Sequence, residues 1–173
     1  VHRLPRVLVF EDLAPRLADV TGDGLPEIIT VEAHRTLGAR LAVWTAEGRL
    51  AATPHIGRAF RWLAPVGVGD FDGDGHPDIA YVETPHLGRT LRFWTYRDGA
   101  LHQIASAPGY TNHRIGEDFI TSAVRSCTGM DEAVTVNAGY TRILASQVRD
   151  GMVVSRDVGP FRGRGSVEAA ARC

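Results

Sequence analysis

Four aspartates in one short segment, Asp70, Asp72, Asp74 and Asp78, have the types and spacing best suited to chemistry in this chain of 173 residues. They stand at positions 1, 3, 5 and 9 of a loop that has glycine at positions 4 and 6. A tight turn at these glycines would direct the carboxylates towards one centre, and hard cations such as Ca²⁺ take oxygen ligands. The backbone carbonyl of His76, at position 7, would add a ligand. The segment therefore predicts a calcium site.

A second version of this loop starts at Asp19, 51 residues earlier. It keeps carboxylates at Asp23 and Glu27 but has Thr21 at position 3, and its position-7 carbonyl belongs to Leu25. With one carboxylate fewer, we expect it to bind Ca²⁺ more weakly than the other loop. Because converging carboxylates repel one another, we expect ion binding and loop order to be linked in both.

The EF-hand is the obvious alternative, and the sequence argues against it. An EF-hand needs a bidentate glutamate at position 12, where the two loops have Thr30 and Tyr81. The carboxylate at position 9 stands directly before a β-type run, which favours a calcium loop between two strands. In a third, decayed copy, Arg125, Cys127 and Thr128 stand where acids are expected, so we predict no ion there.

The loops belong to a longer repeat with a period near fifty residues, which indicates a stacked or radial array. Beyond the loops, Val43-Trp44-Thr45 matches Phe93-Trp94-Thr95, and Gly48 matches Gly99. The third copy is visible at Ala133-Val134-Thr135-Val136. We expect one domain over residues 1–173, composed of repeat 1 (about 13–62), repeat 2 (about 63–120), a degenerate repeat 3 (about 121–165) and a tail (166–173).

Within each copy the apolar residues alternate or run in short groups bounded by Gly, Pro and Asp, which is typical of β-strands. Four short strands per fifty residues is the pattern of a propeller blade. We therefore expect an all-β fold, a propeller-like array of about three four-stranded antiparallel blades. A separate strand is expected at residues 7–10, and only the tail, roughly 166–172, has helical composition. The strands expected in the first two copies are 16–20, 27–31, 40–45, 49–52, 66–71, 78–82, 90–96 and 101–105.

The pattern D-x-D-G-D-G-x-x-D followed by an apolar run resembles the FG-GAP/VCBS repeat family, the calcium-loop blades of integrin α-chain propellers and many exported bacterial proteins. Residues 70–82 match the pattern in full, residues 19–31 match it with Thr and Glu replacements, and the resemblance covers about residues 13–145. Val82-Glu83-Thr84-Pro85 departs from the family's Gly-Ala-Pro element. The resemblance implies a propeller-like fold, structural Ca²⁺ on the two loops and a periplasmic or secreted location. It implies no activity.

The charge balance argues against two classes of partner. All 19 basic residues are arginine, 20 acidic residues balance them, and the formal net charge is −1, which gives no overall field for nucleic acid or anionic membranes. Charged residues, Gly or Pro interrupt every apolar run, so no membrane span is expected. The chain opens at Val1 without a hydrophobic leader, so we expect that any signal peptide was removed or never included.

Cys127 and Cys173 are the two cysteines of the chain. Their spacing matches no metal-ligand pattern. The sequence alone does not distinguish a disulfide between them from two free thiols.

Two classes of function remain. The first is a non-catalytic module in which Ca²⁺ fixes the loops while another surface binds a protein or glycan partner. The alternative is an extracytoplasmic hydrolase or lyase, because Asn112, His113, Arg114, Glu117 and Asp118 form the densest group of reactive side chains outside the loops. Such groups more often cap turns and bond neighbouring blades, so we expect no enzyme.

The expected number of blades is smaller than the four to eight that close a propeller ring. A fragment of a longer propeller, an incomplete ring capped by the terminal segments, and assembly between chains are the three possible arrangements. We favour the second, in which residues 7–10 complete the first or last sheet, since open sheet edges invite pairing. The oligomeric state does not follow from the sequence.

Overall fold

The computed structural model describes residues 2–173, and within them the all-β expectation is confirmed. Fourteen strands form three antiparallel sheets, and one short helix lies near the C-terminal end of these residues. No helix in this part of the chain combines the length and apolar character that a membrane span requires.

The first sheet surrounds the first acidic loop. Its strands are β1 (Leu8–Phe10), β2 (Arg16–Ala18), β3 (Glu27–His34), β4 (Gly38–Trp44) and β5 (Arg49–Ala52). The order is β1-β3-β4-β5, and β2 also pairs with β3. The two short strands share one edge of β3, because Phe10 pairs with Glu32 and Ala18 pairs with Glu27. The strand expected at residues 7–10 therefore lies at the edge of this sheet.

The second sheet contains four strands in chain order. They are β6 (Leu63–Gly69), β7 (Asp78–Glu83), β8 (Thr90–Arg97) and β9 (Ala100–Pro108). β6 ends at Gly69, two residues before the end expected from the sequence, because the acidic loop begins directly after it. β7 is buried on both faces from Asp78 to Val82, which explains why its sequence reads as a continuous apolar run.

The third sheet repeats the arrangement of the first. Its strands are β10 (Tyr110–Thr111), β11 (Ala123–Arg125), β12 (Glu132–Asn137), β13 (Arg142–Arg149) and β14 (Met152–Pro160). The order is β10-β12-β13-β14, and the short β11 pairs with β12 beside β10. The helix α1 (Arg164–Ala170) follows and begins and ends two residues earlier than the helical tail expected from the sequence.

The chain divides into two compact units. The first contains the described residues up to Leu63 together with Tyr96–His102, and the second contains Ala64–Thr95 together with Gln103–Cys173. In the first unit the middle strands are the most buried, and Ile29, Val31 and Leu41 have no exposed surface.

The second unit has two apolar cores. In the larger one, Ala80 and Phe93 of the second sheet pack in one cluster with Ala133 and Val148 of the third sheet. In the smaller one, Val167 of α1 belongs to a cluster of buried residues with Val134, Val136 and Ile143 of the third sheet. The helix therefore covers apolar residues of β12 and β13, and each such side chain contributes about 1.5–3 kcal/mol when fully buried.

Candidate metal centre

The second acidic loop, between β6 and β7, is organised by its first aspartate. The two oxygens of the Asp70 carboxylate accept hydrogen bonds from the backbone N–H groups of Gly73 (2.8 Å) and Gly75 (3.0 Å). Both glycines have positive φ, 79° and 85°, a conformation that residues with a Cβ rarely adopt. These glycines let the chain turn around the Asp70 carboxylate.

Three of the predicted ligands converge in this loop. Asp70, Asp72 and Asp78 each offer one oxygen, and these oxygens lie within 4.8 Å of one another. Asp74 is not part of this group, and its carboxylate instead accepts the backbone N–H of His76 at 2.8 Å. The structure thus brings together the side chains at positions 1, 3 and 9.

Asp78, at the start of β7, is the fully buried member of the group. Its Oδ2 accepts the backbone N–H of Phe71 at 3.2 Å, whereas its Oδ1 is buried and makes no hydrogen bond of normal geometry. Burial, followed by the negative charge of Asp72, raises the pKa of Asp78 to about 7, although the Thr95 hydroxyl acts in the opposite direction. An unpaired buried acceptor costs about 1–3 kcal/mol, and a cation held by the three carboxylates would satisfy it. The oxygen donor set therefore fits a hard divalent ion such as Ca²⁺.

The first acidic loop, between β2 and β3, has the same backbone turn. The Asp19 carboxylate accepts the N–H groups of Gly22 (2.7 Å) and Gly24 (2.9 Å), and these glycines have φ values of 79° and 87°. The Gly24 hydrogen bond is the main cause that lowers the pKa of Asp19. Asp23 accepts the N–H of Leu25 at 2.8 Å, as Asp74 does for His76.

The two loops differ at position 3. The Thr21 hydroxyl lies 3.4 Å from Asp19 Oδ1 and 3.3 Å from Glu27 Oε1, so it stands between the first and last carboxylates of its loop. Asp72 has the corresponding place in the second loop. Among residues 2–173, only the second loop brings three potential metal-ligating side chains into one group.

The third loop, between β11 and β12, is shorter than the other two. Arg125 pairs with Glu132 across its ends, whereas Ala18 pairs with Glu27 in the first sheet, so the third loop has two residues fewer. Of the residues that replace acids there, Cys127 belongs to a disulfide, and Thr128 accepts a hydrogen bond from Gln147 Nε2 at 3.1 Å. The sequence comparison does not reveal this shortening, because the decayed copy has no acidic pattern to align.

Two arginines contact Glu132, the buried residue that begins β12. Arg125 Nε donates to Glu132 Oε2 at 2.9 Å, and Arg156 donates to both carboxylate oxygens at 2.9 Å. Burial alone would raise the pKa of Glu132, but the hydrogen bonds and charges of the two arginines outweigh burial and lower it. Two fixed cations of the chain therefore balance this carboxylate. Arg125 could have been found as a basic residue next to the loop, but nothing in the sequence marks Arg156.

A disulfide joins Cys127, in the third loop, to Cys173, with a Cα–Cα distance of 5.7 Å. The alternative that the sequence leaves open is thus resolved in favour of the bond. Arg125 Nη1 also donates to the backbone carbonyl of Ala170 at 2.6 Å. The disulfide and this hydrogen bond both attach the segment around α1 to the third loop.

The residues of the alternative catalytic cluster make mainly structural contacts. Asn112 is buried and donates to the backbone carbonyl of Ala64 at 3.0 Å. His113 is also buried, and its two ring nitrogens lie 2.8 Å from His86 Nε2 and 3.0 Å from the Glu117 carbonyl oxygen. Both ring nitrogens of His113 therefore have hydrogen-bond partners within the chain.

The charged members of that cluster lie on the surface. The Arg114 guanidinium stands 4.2 Å from the centre of the Tyr140 ring, and the Arg114 N–H donates to Glu117 Oε2 at 3.0 Å. Asp118 is exposed. The sequence proximity of these residues does not translate into a single group of converging acids and bases.

The fold and the loops together define an all-β repeat protein with acidic turns between antiparallel strands. The family model described as FG-GAP-like repeat matches residues 16–81, a segment that includes both acidic loops. The resemblance to the FG-GAP/VCBS repeat family that the sequence indicates is confirmed, and the chain carries the FG-GAP-like repeat over these residues. Neither a curated protein nor a solved structure matches the chain.

Proposed function

We propose that this chain is a non-catalytic, Ca²⁺-braced module of the β-propeller type that binds a protein or glycan partner outside the cytoplasm. The observation that carries the proposal is the convergence of Asp70, Asp72 and Asp78 around a buried, unpaired carboxylate oxygen of Asp78. Three carboxylates in one small loop repel one another unless a cation balances them.

The repetition of the sheets supports the propeller part of the proposal. Each of the three sheets has two buried middle strands that lie between outer strands. The FG-GAP-like match over residues 16–81 spans both acidic loops. Three sheets are fewer than a closed ring requires, so the proposal applies to a fragment, to an incomplete ring or to blades assembled between chains.

In this proposal Ca²⁺ stabilises the structure and takes no part in a chemical reaction. The loop from Asp70 to Asp78 connects β6 to β7, so a bound ion would fix the ends of both strands. Ligand oxygens supplied by Asp70, Asp72 and Asp78 would hold it. Because the unfolded chain lacks this arrangement, the ion would stabilise the folded state by mass action.

The disulfide supports the proposed location. Disulfides persist in oxidising compartments and are rare in the cytosol, and this chain joins both of its cysteines in one bond. Free calcium is also abundant outside the cytoplasm, where weak structural sites can be filled. The buried placement of Asn112 and His113 argues for the binding module over the hydrolase or lyase alternative.

Thermal unfolding in excess CaCl₂ and in excess EDTA tests the calcium part directly. At about one hundred times its dissociation constant, an ion that binds only the folded state adds about 2.7 kcal/mol, which raises the melting temperature by several degrees. Asp72→Asn removes one ligand charge and should abolish most of this shift. Asp98→Asn is the matched control, since Asp98 is exposed at a φ of 51° that asparagine tolerates.

Two results would contradict this part of the proposal. One is an unchanged melting temperature together with no calcium in the dialysed protein. The other is a calcium shift of equal size in the Asp72→Asn and Asp98→Asn variants, which would place the ion elsewhere.

A further inference from the structure

A groove of about 430 Å³ in the first compact unit borders one face of β1 and the loop before β6. Three arginines, Arg6, Arg35 and Arg61, contribute to its lining. Exposed apolar side chains lie among them: Phe60 has 96% of its surface exposed and Val9 has 58%. The groove thus combines positive charge with apolar surface, and neither acidic loop takes part in it.

The positive charge of the groove is not balanced within the chain. Among residues 2–173, none of the three arginines forms an ion pair with a carboxylate, whereas Arg40, in the same sheet, is held by the buried Glu32 at 2.6 Å. Glu11 is the one acidic residue in the lining of the groove. Three arginines and one glutamate in the lining leave a net positive charge that attracts anionic groups, and arginine is the cation best suited to bind carboxylates in pairs of hydrogen bonds.

Phe60 is held in its exposed position by a fixed loop. Its φ is 57°, a left-handed value that is a genuine outlier for a bulky side chain. The neighbouring backbone is anchored to β4, because the Ala39 N–H donates to the Arg61 carbonyl at 2.8 Å and the Gly57 N–H donates to the Leu37 carbonyl at 2.8 Å. Strain of this kind persists where the surrounding structure enforces it, and it concentrates at binding sites.

Gly38 shows how closely this loop is fitted to the sheet. It has a φ of 74°, and a Cβ at this position would collide with the backbone carbonyl of Arg58. The loop therefore lies directly on the start of β4, and the exposure of Phe60 does not come from a loosely packed segment.

The edge of the sheet beside the groove is open except at Leu8, whose N–H donates to the Pro5 carbonyl at 2.9 Å. β1 is a terminal strand of the first sheet and, in the described chain, pairs only with β3. Val9 of β1 and Val7, in the turn before it, both have exposed side chains and line the groove. An extended peptide can add to such an edge through its backbone while its alternate side chains enter the groove.

We propose that this groove binds an extended acidic segment of a partner protein. Its carboxylates would pair with Arg6, Arg35 and Arg61, and the apolar side chains between them would pack on Phe60 and Val9. A peptide fits better than a glycan because the groove combines arginine with aliphatic and phenyl surface beside a strand edge. The inference rests on the binding part of the proposed function and names the chemistry of its partner.

Fluorescence anisotropy with three probes tests the proposal on the full chain in excess Ca²⁺. The probes are a fluorescein-labelled hexapeptide of alternating glutamate and valine, its glutamine counterpart, and a labelled sulfated oligosaccharide. We expect saturable binding of the glutamate peptide that weakens with salt, and no binding of the glutamine peptide. Replacing both Arg35 and Arg61 with glutamine should weaken binding about five- to tenfold. Arg162→Gln, an exposed change on the other compact unit, should leave it unchanged.

Phe60→Gly separates a binding role from a structural one. Glycine relieves the left-handed strain, so the melting temperature should stay level or rise, while peptide affinity should fall about tenfold because an aromatic anchor is lost. If Phe60 stabilised the fold instead, the Phe60→Gly variant would have a lower melting temperature than the parent protein.

Three outcomes would overturn the inference: no saturable binding of the glutamate peptide, equal affinity in the groove and control variants, or tighter arginine-dependent binding of the sulfated oligosaccharide. The calcium melt is an independent measurement. If Ca²⁺ stabilises the chain but the peptide does not bind, only the proposed peptide site is contradicted. If the peptide binds but Ca²⁺ does not change the melting temperature, only the proposed calcium site is contradicted.

Discussion

The backbone N–H of Phe71 donates a hydrogen bond to the buried carboxylate of Asp78, seven residues further along the chain. Val20 and Glu27 make the same contact in the first loop at 2.8 Å. One oxygen of the last carboxylate thus closes each acidic loop. In the second loop this arrangement leaves the other oxygen of Asp78 without a hydrogen bond.

The first prediction concerns the pH dependence of the metal-free protein. The pKa of Asp78 is about 7 in the folded chain and about 3.9 in the unfolded chain. Between these values the folded state holds a proton that the unfolded state has lost, so the free energy of unfolding should fall as pH rises from about 4 to about 7. The loss should be on the order of a few kcal/mol, and urea denaturation in EDTA at several pH values would measure it.

Asp78→Asn is the control for this titration. It resembles the protonated carboxyl but cannot ionise, so its stability should change less over the same pH range. Parallel pH profiles of the variant and the parent protein would show that Asp78 does not titrate in this window.

The second prediction concerns the first loop. Thr21 lies between Asp19 and Glu27, where an aspartate side chain would complete a group like that of the second loop. Thr21→Asp should therefore lower stability in EDTA through carboxylate repulsion and increase the stabilisation by Ca²⁺. Isothermal titration calorimetry should show tighter binding at a second site. Thr21→Asn adds a similar volume without charge, and an equal gain in that variant would contradict the electrostatic explanation.

The sequence predicts much of this structure where local spacing determines it. The period near fifty residues predicts three sheets, and Gly73 and Gly75 predict the turn around Asp70 because only a residue without a Cβ adopts their φ values at low cost. Contacts between residues that are far apart in the sequence cannot be predicted from local spacing. Arg156 reaches Glu132 across 24 residues, and no local pattern marks that contact.

The groove illustrates the same limit. Arg6, Arg35 and Arg61 are scattered along the sequence. The pairing of β1 with β3 brings Arg6 and Arg35, which flank these strands, to the same groove. Phe60 also reads as an ordinary apolar residue in the sequence, and its exposure and positive φ become visible only when the surrounding loop is folded.

The third prediction concerns the disulfide. Reducing the bond between Cys127 and Cys173 frees a loop of 46 residues, and the chain-entropy model gives a loss of about 4 kcal/mol. The seven-residue α1 is too short to be stable without its attachments, so it should fray first. Melting with and without a reducing agent would measure the loss. The double variant Cys127→Ala/Cys173→Ala should melt like the reduced protein and should not respond to the reducing agent, and a response would indicate another cause.

The last prediction concerns the arginines that balance Glu132. Arg125 and Glu132 are both buried, with 5% and 2% of their side chains exposed, so Arg125→Met would leave a buried carboxylate with Arg156 as its remaining partner. Loss of one member of a buried pair costs about 3–5 kcal/mol when the other charge is left unpaired. Because Arg156 still pairs with Glu132, we expect a loss below this range. Arg142→Met is the control, because the Arg142–Asp157 pair is nearly half exposed, and such pairs contribute about 0–1 kcal/mol. Urea denaturation of both variants at neutral pH would give the two losses. Equal losses would contradict the expectation that Arg125 stabilises its buried carboxylate more than Arg142 stabilises an exposed one.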